Sequence, residues 1–368
     1  MKRIAALLLV LSLFLCGCVK AEAPIPEETV APPTEAPTEA PTEAPTEAPT
    51  EAPTEPPVVY RHPLTGEVLD SLYTGRPTAL VINNISVAMP QAGISAADMF
   101  FELETEYNIT RCLAIITDFT GVEAIGPIRS ARTYFNNIAT SFDIPLFHCG
   151  GSPMAKAAQY DVTGATIDNW IHVDQMANDG YFYRDQVRYN SGYAWEHTLY
   201  TTGELVLQCL ADKGFDITYE NGTDYGLLFA EEPGIAGNTA NQVTMSFLGG
   251  KQTIFTYNQE TGLYDADQYD SDWVDANNDQ TLAFRNVLAL YAPQMKISDG
   301  VDTRSFYTLA GSGRGYFACD GQIIPILWHR DDLYEPFYYT LEDGTPLTLG
   351  VGKTYVGIAS DSCDIAYN

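Results

Sequence analysis

Five consecutive Ala-Pro-Thr-Glu units run from Ala36 to Glu55, directly after a similar Ala31-Pro32-Pro33-Thr34-Glu35. They hold no large apolar residue, so this stretch has nothing with which to build a core and is expected to stay unfolded. Proline at every fourth position biases it toward extended polyproline II, a stalk rather than a domain. Fully extended, Ala21 to Pro57 would reach roughly 115 Å at about 3.1 Å per residue. The folded part of this 368-residue chain is therefore expected from Val58 onward.

Ahead of the stalk, Lys2 and Arg3 precede an apolar run from Ile4 to Leu15 that only Ser12 interrupts. The run is short of the roughly 20 residues that span a bilayer, and it has the layout of a secretory signal. Its end, Leu15-Cys16-Gly17-Cys18, resembles the bacterial lipobox. The resemblance implies that residues 1–17 are a signal peptide and that Cys18 becomes the lipidated first residue of a stalk ending at residue 57. A diacylglycerol thioether plus an amide-linked chain would hold it on the membrane, at about 0.8 kcal/mol per buried methylene. The location implied is the outer face of the cytoplasmic membrane, with the folded part projecting into the cell wall.

Charge narrows the partners. Nine of the 48 acidic residues and three of the 19 basic ones precede Val58, which leaves 39 acids against 16 bases in the folded part. Such a balance argues against nucleic acid and against direct adhesion to anionic lipid. Beyond the lipobox stand Cys112, Cys149, Cys209, Cys319 and Cys363, an odd number with no C-x-x-C or zinc spacing. Most read as buried thiols, and an oxidising location is compatible with one disulfide.

The folded part changes character along its length. Ala79-Leu80-Val81-Ile82, Cys112 to Ile116 and Pro145-Leu146-Phe147 read as strands, and Ala131 to Phe142 and Thr198 to Leu210 as helices. That is an α/β layout with a mixed sheet, placed at residues 58–232. From residue 233 to 368 the pattern is strands and turns: Val243 to Phe247, Thr253 to Tyr257, Val287 to Tyr291, Ser305 to Leu309, Ile323 to Trp328 and Thr354 to Ile358. Asp299-Gly300, Asp320-Gly321 and Asp343-Gly344 supply turn signals between them. The expected architecture is thus an α/β N-terminal domain and a smaller β-rich C-terminal domain, divided near Glu231-Glu232-Pro233-Gly234.

Several blocks in order resemble the YerB-like lipoprotein family. They begin with Arg76-Pro77-Thr78-Ala79-Leu80-Val81-Ile82-Asn83-Asn84, Pro90-Gln91-Ala92-Gly93, Ala97-Asp98 and Thr110-Arg111. They continue with Gly126-Pro127-Ile128-Arg129-Ser130-Ala131-Arg132, His148-Cys149-Gly150-Gly151-Ser152-Pro153, Asn286-Val287-Leu288, Gly311-Ser312-Gly313-Arg314-Gly315 and Asp320-Gly321 through Ile326-Leu327-Trp328. The resemblance implies an N-terminal α/β domain joined to a smaller C-terminal one, in a family of unknown function. The chain departs from the family where Glu196-His197-Thr198 replaces Pro-His-Asn, and where an arginine is missing near Tyr264.

Two blocks carry the candidate chemistry. Arg129, Ser130 and Arg132 fall at a strand-to-helix junction, where backbone amides favour anions and guanidiniums add bidentate hydrogen bonds. The competing reading is a pair of salt bridges to acids such as Asp98 and Glu102. His148, Gly150, Gly151 and Ser152 follow a strand and precede a helix, with Ser152 as expected N-cap. His148 reads either as an acid/base or as a ring satisfying a backbone carbonyl. Ser152 lacks a Gly-x-Ser-x-Gly elbow, because Met154 stands last. Asp98 and Arg111 complete an expected pocket of Asp98, Arg111, Arg129, Ser130, Arg132, His148, Gly150, Gly151 and Ser152. Asp98, Glu102, Glu104 and Glu106 would share one face of a strand and either meet a cation or pair with the arginines. Asp265 to Asp279 lacks EF-hand order, and Gly311 to Gly315 reads as a glycine-rich β turn. No metal site or cofactor is assigned.

Three function classes fit these residues. The favoured one is an envelope lipoprotein binding an anionic envelope ligand in its N-terminal domain. A second is an envelope phosphotransferase or hydrolase acting on a polyprenyl-diphosphate-type substrate, by loose similarity to the LytR-CpsA-Psr enzymes. There the expected Pro-Arg-Asp is replaced by Pro127-Ile128-Arg129-Ser130. The third is a protein–protein adaptor contacting an envelope protein through its β-rich half.

Overall fold

The computed structural model describes residues 58–158, 172–174, 179–300 and 302–368. Cys18 and the Ala-Pro-Thr-Glu stalk lie outside them. After a short hairpin of Tyr60–Arg61 and Val68–Leu69, the main elements begin with β1 (Thr78–Asn84), β2 (Met99–Glu104), β3 (Thr110–Ile116), α1 (Thr133–Ser141), β4 (Leu146–His148), α2 (Pro153–Ala157) and β5 (His172–Asp174). Next come α3 (Gln186–Asn190), α4 (Gly203–Asp212), β6 (Asn238–Thr239), β7 (Gln242–Ser246), β8 (Gln252–Asn258) and β9 (Leu263–Gln268). The last are β10 (Asn286–Ala292), β11 (Gln294–Ser298), β12 (Thr303–Tyr307), β13 (Gly311–Cys319), β14 (Gln322–Arg330), β15 (Tyr338–Thr340), β16 (Thr354–Ser360) and β17 (Ile365–Tyr367).

One mixed sheet organises them, in the order β6-β14-β13-β10-β16-β2-β3-β1-β4-β5, with β15 added beside β14. β16 runs parallel to both β10 and β2, and β3 lies antiparallel between β2 and β1. The sheet therefore continues unbroken from the α/β stretch into the β-rich one, with Met99 opposite Thr354 and Leu103 opposite Ile358. All seven residues of β1, β3, β10 and β16 are buried, as a strand covered on both faces requires. Alternation sends Leu80 and Ile82 to one core and Ala79 and Val81 to the other.

The first core is closed by a second sheet of β7, β8, β9 and β17 with short strands at 271–272 and 283–284. Phe255 packs on Tyr355 there, with ring centroids 4.5 Å apart. The second core is closed by α1, whose Tyr134, Phe135 and Ile138 follow helical spacing, and by Trp328 and Phe337.

The helices are fewer and shorter than the α/β layout implied; strands dominate. The helix expected from Thr198 starts only at Gly203, because Leu199 and Tyr200 pair with Tyr183 and Arg184 and Thr202 caps the helix through Leu205 N–H at 3.0 Å. Gly311 to Gly315 is no turn but the first half of β13. Gly313 serves close packing, since a Cβ there would lie 2.5 Å from the Trp328 indole nitrogen. The turn at Asp320-Gly321 is a two-residue hairpin with both residues left-handed, φ 53° and 70°, joining β13 to β14. Cys112, Cys209, Cys319 and Cys363 are free thiols.

Candidate functional site

The stretch 127–131, between β3 and α1, is slotted beside β1. Pro127 accepts from Asn83 N–H at 2.8 Å, and Arg129 N–H donates to Val81 at 2.8 Å. Its other side meets the turn after β4: Cys149 N–H donates to the Arg129 carbonyl and Ala131 N–H to that of Gly150, both at 3.0 Å. Arg129 and Ser130 are thereby brought against Cys149, Gly150, Gly151 and Ser152, so the two sequence blocks form one region.

Arg132 and Arg111 are engaged internally. Arg132 donates through Nε to Glu106 Oε2 at 2.9 Å and through Nη2 to Oε1, and Arg111 Nη2 reaches Oε1 at 3.1 Å. Arg304 joins the same carboxylate at 3.2 Å while binding Asp299 at 2.8 Å. Arg111 also donates to the Ser130 carbonyl at 2.9 Å, so Ser130 contributes its backbone. Burial opposes ionisation of Glu106, but Arg111 and Arg132 outweigh it and hold the carboxyl at about 2. Arg304 also reaches Asp302 at 3.5 Å, so the three guanidiniums of this cluster are matched by the carboxylates of Glu106, Asp299 and Asp302. The competing salt-bridge reading thus holds for Arg132 and Arg111, with Glu106 as partner in place of Asp98 and Glu102.

Arg129 differs. Among the described residues its side chain has no hydrogen-bond or ion-pair partner, and its Nε is buried without an acceptor. Burial presses the guanidinium below its ordinary value, Glu196 pulls the other way, and Arg132 adds to the depression. Cys149 beside it is pushed up by burial; its charged neighbours are Arg184, Asp174, Arg129 and Lys156. His197 is a further neighbour. Asn83 Nδ2 donates to its Nδ1 at 2.9 Å, so the neutral ring carries its proton on Nε2. Burial first, then Arg129, lower the His197 pKa and keep that ring neutral. The surroundings of Arg129 thus mix Arg132 and Arg184 with Glu196 and Glu106, with one imidazole N–H added. Arg184, His197 and Glu196 escaped the sequence reading as site residues. Only the family departure at Glu196-His197 marked that place, and Arg184 carried no local signal.

The remaining expected residues have other partners. His148 is buried and its Nδ1–H donates to the Gly150 carbonyl at 2.7 Å, the backbone-satisfying role. Burial lowers its pKa against the pull of Asp174, which favours the neutral ring. Gly150, at φ 66°, needs glycine, and its N–H donates to Asp174 at 2.6 Å. Ser152 caps α2, accepting from Ala155 N–H at 3.2 Å. Gly151 is not left-handed, and a Cβ there would meet only ordinary contacts at 3.5 Å or more.

Asp98 does not join this region. It precedes β2, while Arg111 pairs with Leu103 near the other end, roughly 17 Å along at about 3.3 Å per residue. Its carboxylate accepts from the N–H and hydroxyl of Thr117 at 2.9 and 2.6 Å.

The shared carboxylate face also dissolves, because β2 ends at Glu104 and each glutamate takes its own donors. Glu102, fully buried, accepts from Asn84 at 2.8 Å, Thr110 at 2.6 Å, Thr253 at 2.7 Å and Tyr355 at 2.8 Å, and pairs with Lys251. Glu104 accepts from Gln294 at 2.8 Å and Tyr307 at 3.1 Å. Asp275, buried in the acidic run, holds Gly93 N–H at 2.9 Å and Ser95 N–H and hydroxyl at 2.8 and 2.6 Å.

Residues 64–216 match the family described as "Protein of unknown function (DUF3048) N-terminal domain", and residues 243–356 match its C-terminal domain. The chain belongs to the YerB-like family. YerB of Bacillus subtilis (strain 168), a protein named as a lipoprotein, is 28% identical over 303 residues, covering 81% of this chain and 86% of YerB. The crystal structure of Bacillus subtilis YerB matches with a TM-score of 0.70 and 26% identity, over 83% of this chain and 99% of that one. The N-terminal family match encloses Glu106, Arg111, Arg129, Arg132 and His148, and the C-terminal match encloses Asp299 and Arg304.

Proposed function

We propose that this YerB-like protein is an envelope lipoprotein, anchored through Cys18, that binds an anionic group at Arg129. One observation carries the reading: the Arg129 guanidinium is buried at Nε without an acceptor, while Arg111, Arg132 and Arg304 share Glu106. An unsatisfied buried donor costs about 1–3 kcal/mol, more when charged, and an anion removes that cost. Arg184 and Lys156 add positive charge nearby, and His197 adds a neutral N–H. In a chain of net charge −29, a guanidinium without an ion-pair partner among the described residues is the natural contact for an anion, with Glu196 the nearest opposing charge. The anchor reading rests on the basic start, the apolar run and Cys18, and agrees with the lipoprotein name of the relative.

The test is native mass spectrometry of the full chain purified from its own membrane. The expected result is a co-purifying phosphate- or carboxylate-bearing ligand that is lost in Arg129→Gln. A ligand retained equally by the variant contradicts the assignment.

A further inference from the structure

We propose that anion binding at Arg129 is proton-coupled through His197, which is the second contact of that site and holds the anion more tightly when its ring is protonated. This rests on the reading of Arg129 as an anion contact and adds control of the same site by pH.

The backbone sets the two side chains on neighbouring segments. Asn83 N–H donates to the Pro127 carbonyl at 2.8 Å, and Ile128 N–H donates to that of Leu199 at 2.7 Å. The stretch carrying Arg129 is thereby held between β1 and the segment 195–199. His197 ends the short turn Trp195–His197 and is only 5% exposed. A ring so enclosed normally has partners on both nitrogens. Here Nδ1 is used, by Asn83 Nδ2 at 2.9 Å. Nε2, which carries the proton of the neutral ring, has no partner among the described residues and is not closed off from solvent. The same is true of both Nη atoms of Arg129, whose Nε alone is sealed in. Of the charged groups facing the ring, Arg129 acts on it most strongly, then Glu196 beside it in the chain and Arg188 on α3.

Asn83 is what lets this ring change its charge. An imidazolium carries a proton on Nδ1 as well and can no longer accept there. Asn83 Oδ1 is buried without a donor. A half-turn of the amide brings that oxygen to Nδ1–H, so the hydrogen bond survives protonation. One amide atom of Asn83 stays without a partner in either state, and the bond therefore favours neither. A carboxylate in its place would have fixed the charged ring, and a backbone N–H the neutral one.

Without ligand, burial and then Arg129 hold the His197 ring below its ordinary value, so it is neutral at pH 7. A bound anion offsets Arg129 and accepts from Nε2–H, which favours the imidazolium. Binding then takes up a proton, and affinity rises as pH falls through the histidine range.

Calorimetric titration of inorganic sulfate into the full-length chain at constant ionic strength tests this, because sulfate keeps its own charge throughout. Between about pH 8 and about pH 5, affinity is expected to rise roughly tenfold, as a shift of one pKa unit in the ring requires. In NMR titrations the His197 ring should protonate at higher pH in saturating sulfate than without it. His197→Gln is expected to bind sulfate with no such pH dependence. Equal affinity at both ends of the range, a rise that persists in His197→Gln, or a ring titration unmoved by sulfate overturns the coupling and leaves Arg129 as an anion contact. No saturable binding by the unaltered chain at either pH removes the Arg129 reading and this one with it.

Discussion

The Nε of Arg132 donates to Glu106 at 2.9 Å, and Arg129, three residues earlier, forms no ion pair among the described residues. The two arginines therefore do different work. Arg132 belongs to a buried ion-pair cluster that ties α1 to the turn after β2, together with Arg111 and Arg304. Among the described residues, Arg129 takes no part in that cluster.

The cluster makes stability depend on Glu106. Glu106→Ala leaves Arg111 and Arg132 buried without their counter-ion, and a loss of about 3–5 kcal/mol is expected. Urea denaturation followed by fluorescence measures it; a loss below about 1 kcal/mol contradicts the pairing.

Acid has a matching effect. The folded-state pKa of Glu106 lies at about 2, below its ordinary 4.5. A depressed carboxylate stabilises the fold fully above the unfolded value, and the contribution fades as pH falls from about 4.5 through about 2. It is on the order of 3 kcal/mol when complete. Denaturation at a series of pH values should show that part of the acid dependence vanish in Glu106→Gln.

Glu102 and Lys251 tie the second sheet to β2. Burial disfavours the charged carboxylate, but Lys251 outweighs it and lowers the pKa. Lys251→Met removes the ammonium from a fully buried carboxylate, and about 3–5 kcal/mol of stability should go with it. A thermal melt that moves by less than about 2 °C would show that the pair contributes little.

The anchor is tested at Cys18, because a thioether can form only at a cysteine. In Cys18→Ala the protein is expected in the medium or as an uncleaved precursor. Mature protein that still needs detergent for extraction contradicts the anchor assignment.

Much of this fold could be read in the sequence, for local reasons. Ala79-Leu80-Val81-Ile82 is apolar without alternation, as a strand buried on both faces must be, and β1 lies there. Tyr134, Phe135 and Ile138 follow helical spacing, and α1 carries them. The meeting of Arg129 with Gly150 was legible only on one side: the Gly150 block follows β4, whereas Arg129 lies in an extended stretch slotted beside β1, well past the end of β3. The fate of Arg132 was not. Glu106 stands 26 residues away in a turn where Tyr107 and Asn108 adopt φ 60° and 56°, so strand alternation misplaced its carboxylate. The crossing of the sheet from β2 to β16 was equally hidden, because parallel pairing between residues 99–103 and 354–358 leaves no local pattern.

The central claim, that Arg129 is an anion contact, is tested most directly by calorimetric titration of inorganic diphosphate into the full-length chain and its Arg129→Gln variant. Loss of one charge-assisted hydrogen bond, about 1.5–3 kcal/mol, predicts roughly 10- to 150-fold weaker binding with an unchanged melting temperature. Equal affinity in both proteins, or no saturable binding by the unaltered chain, contradicts it.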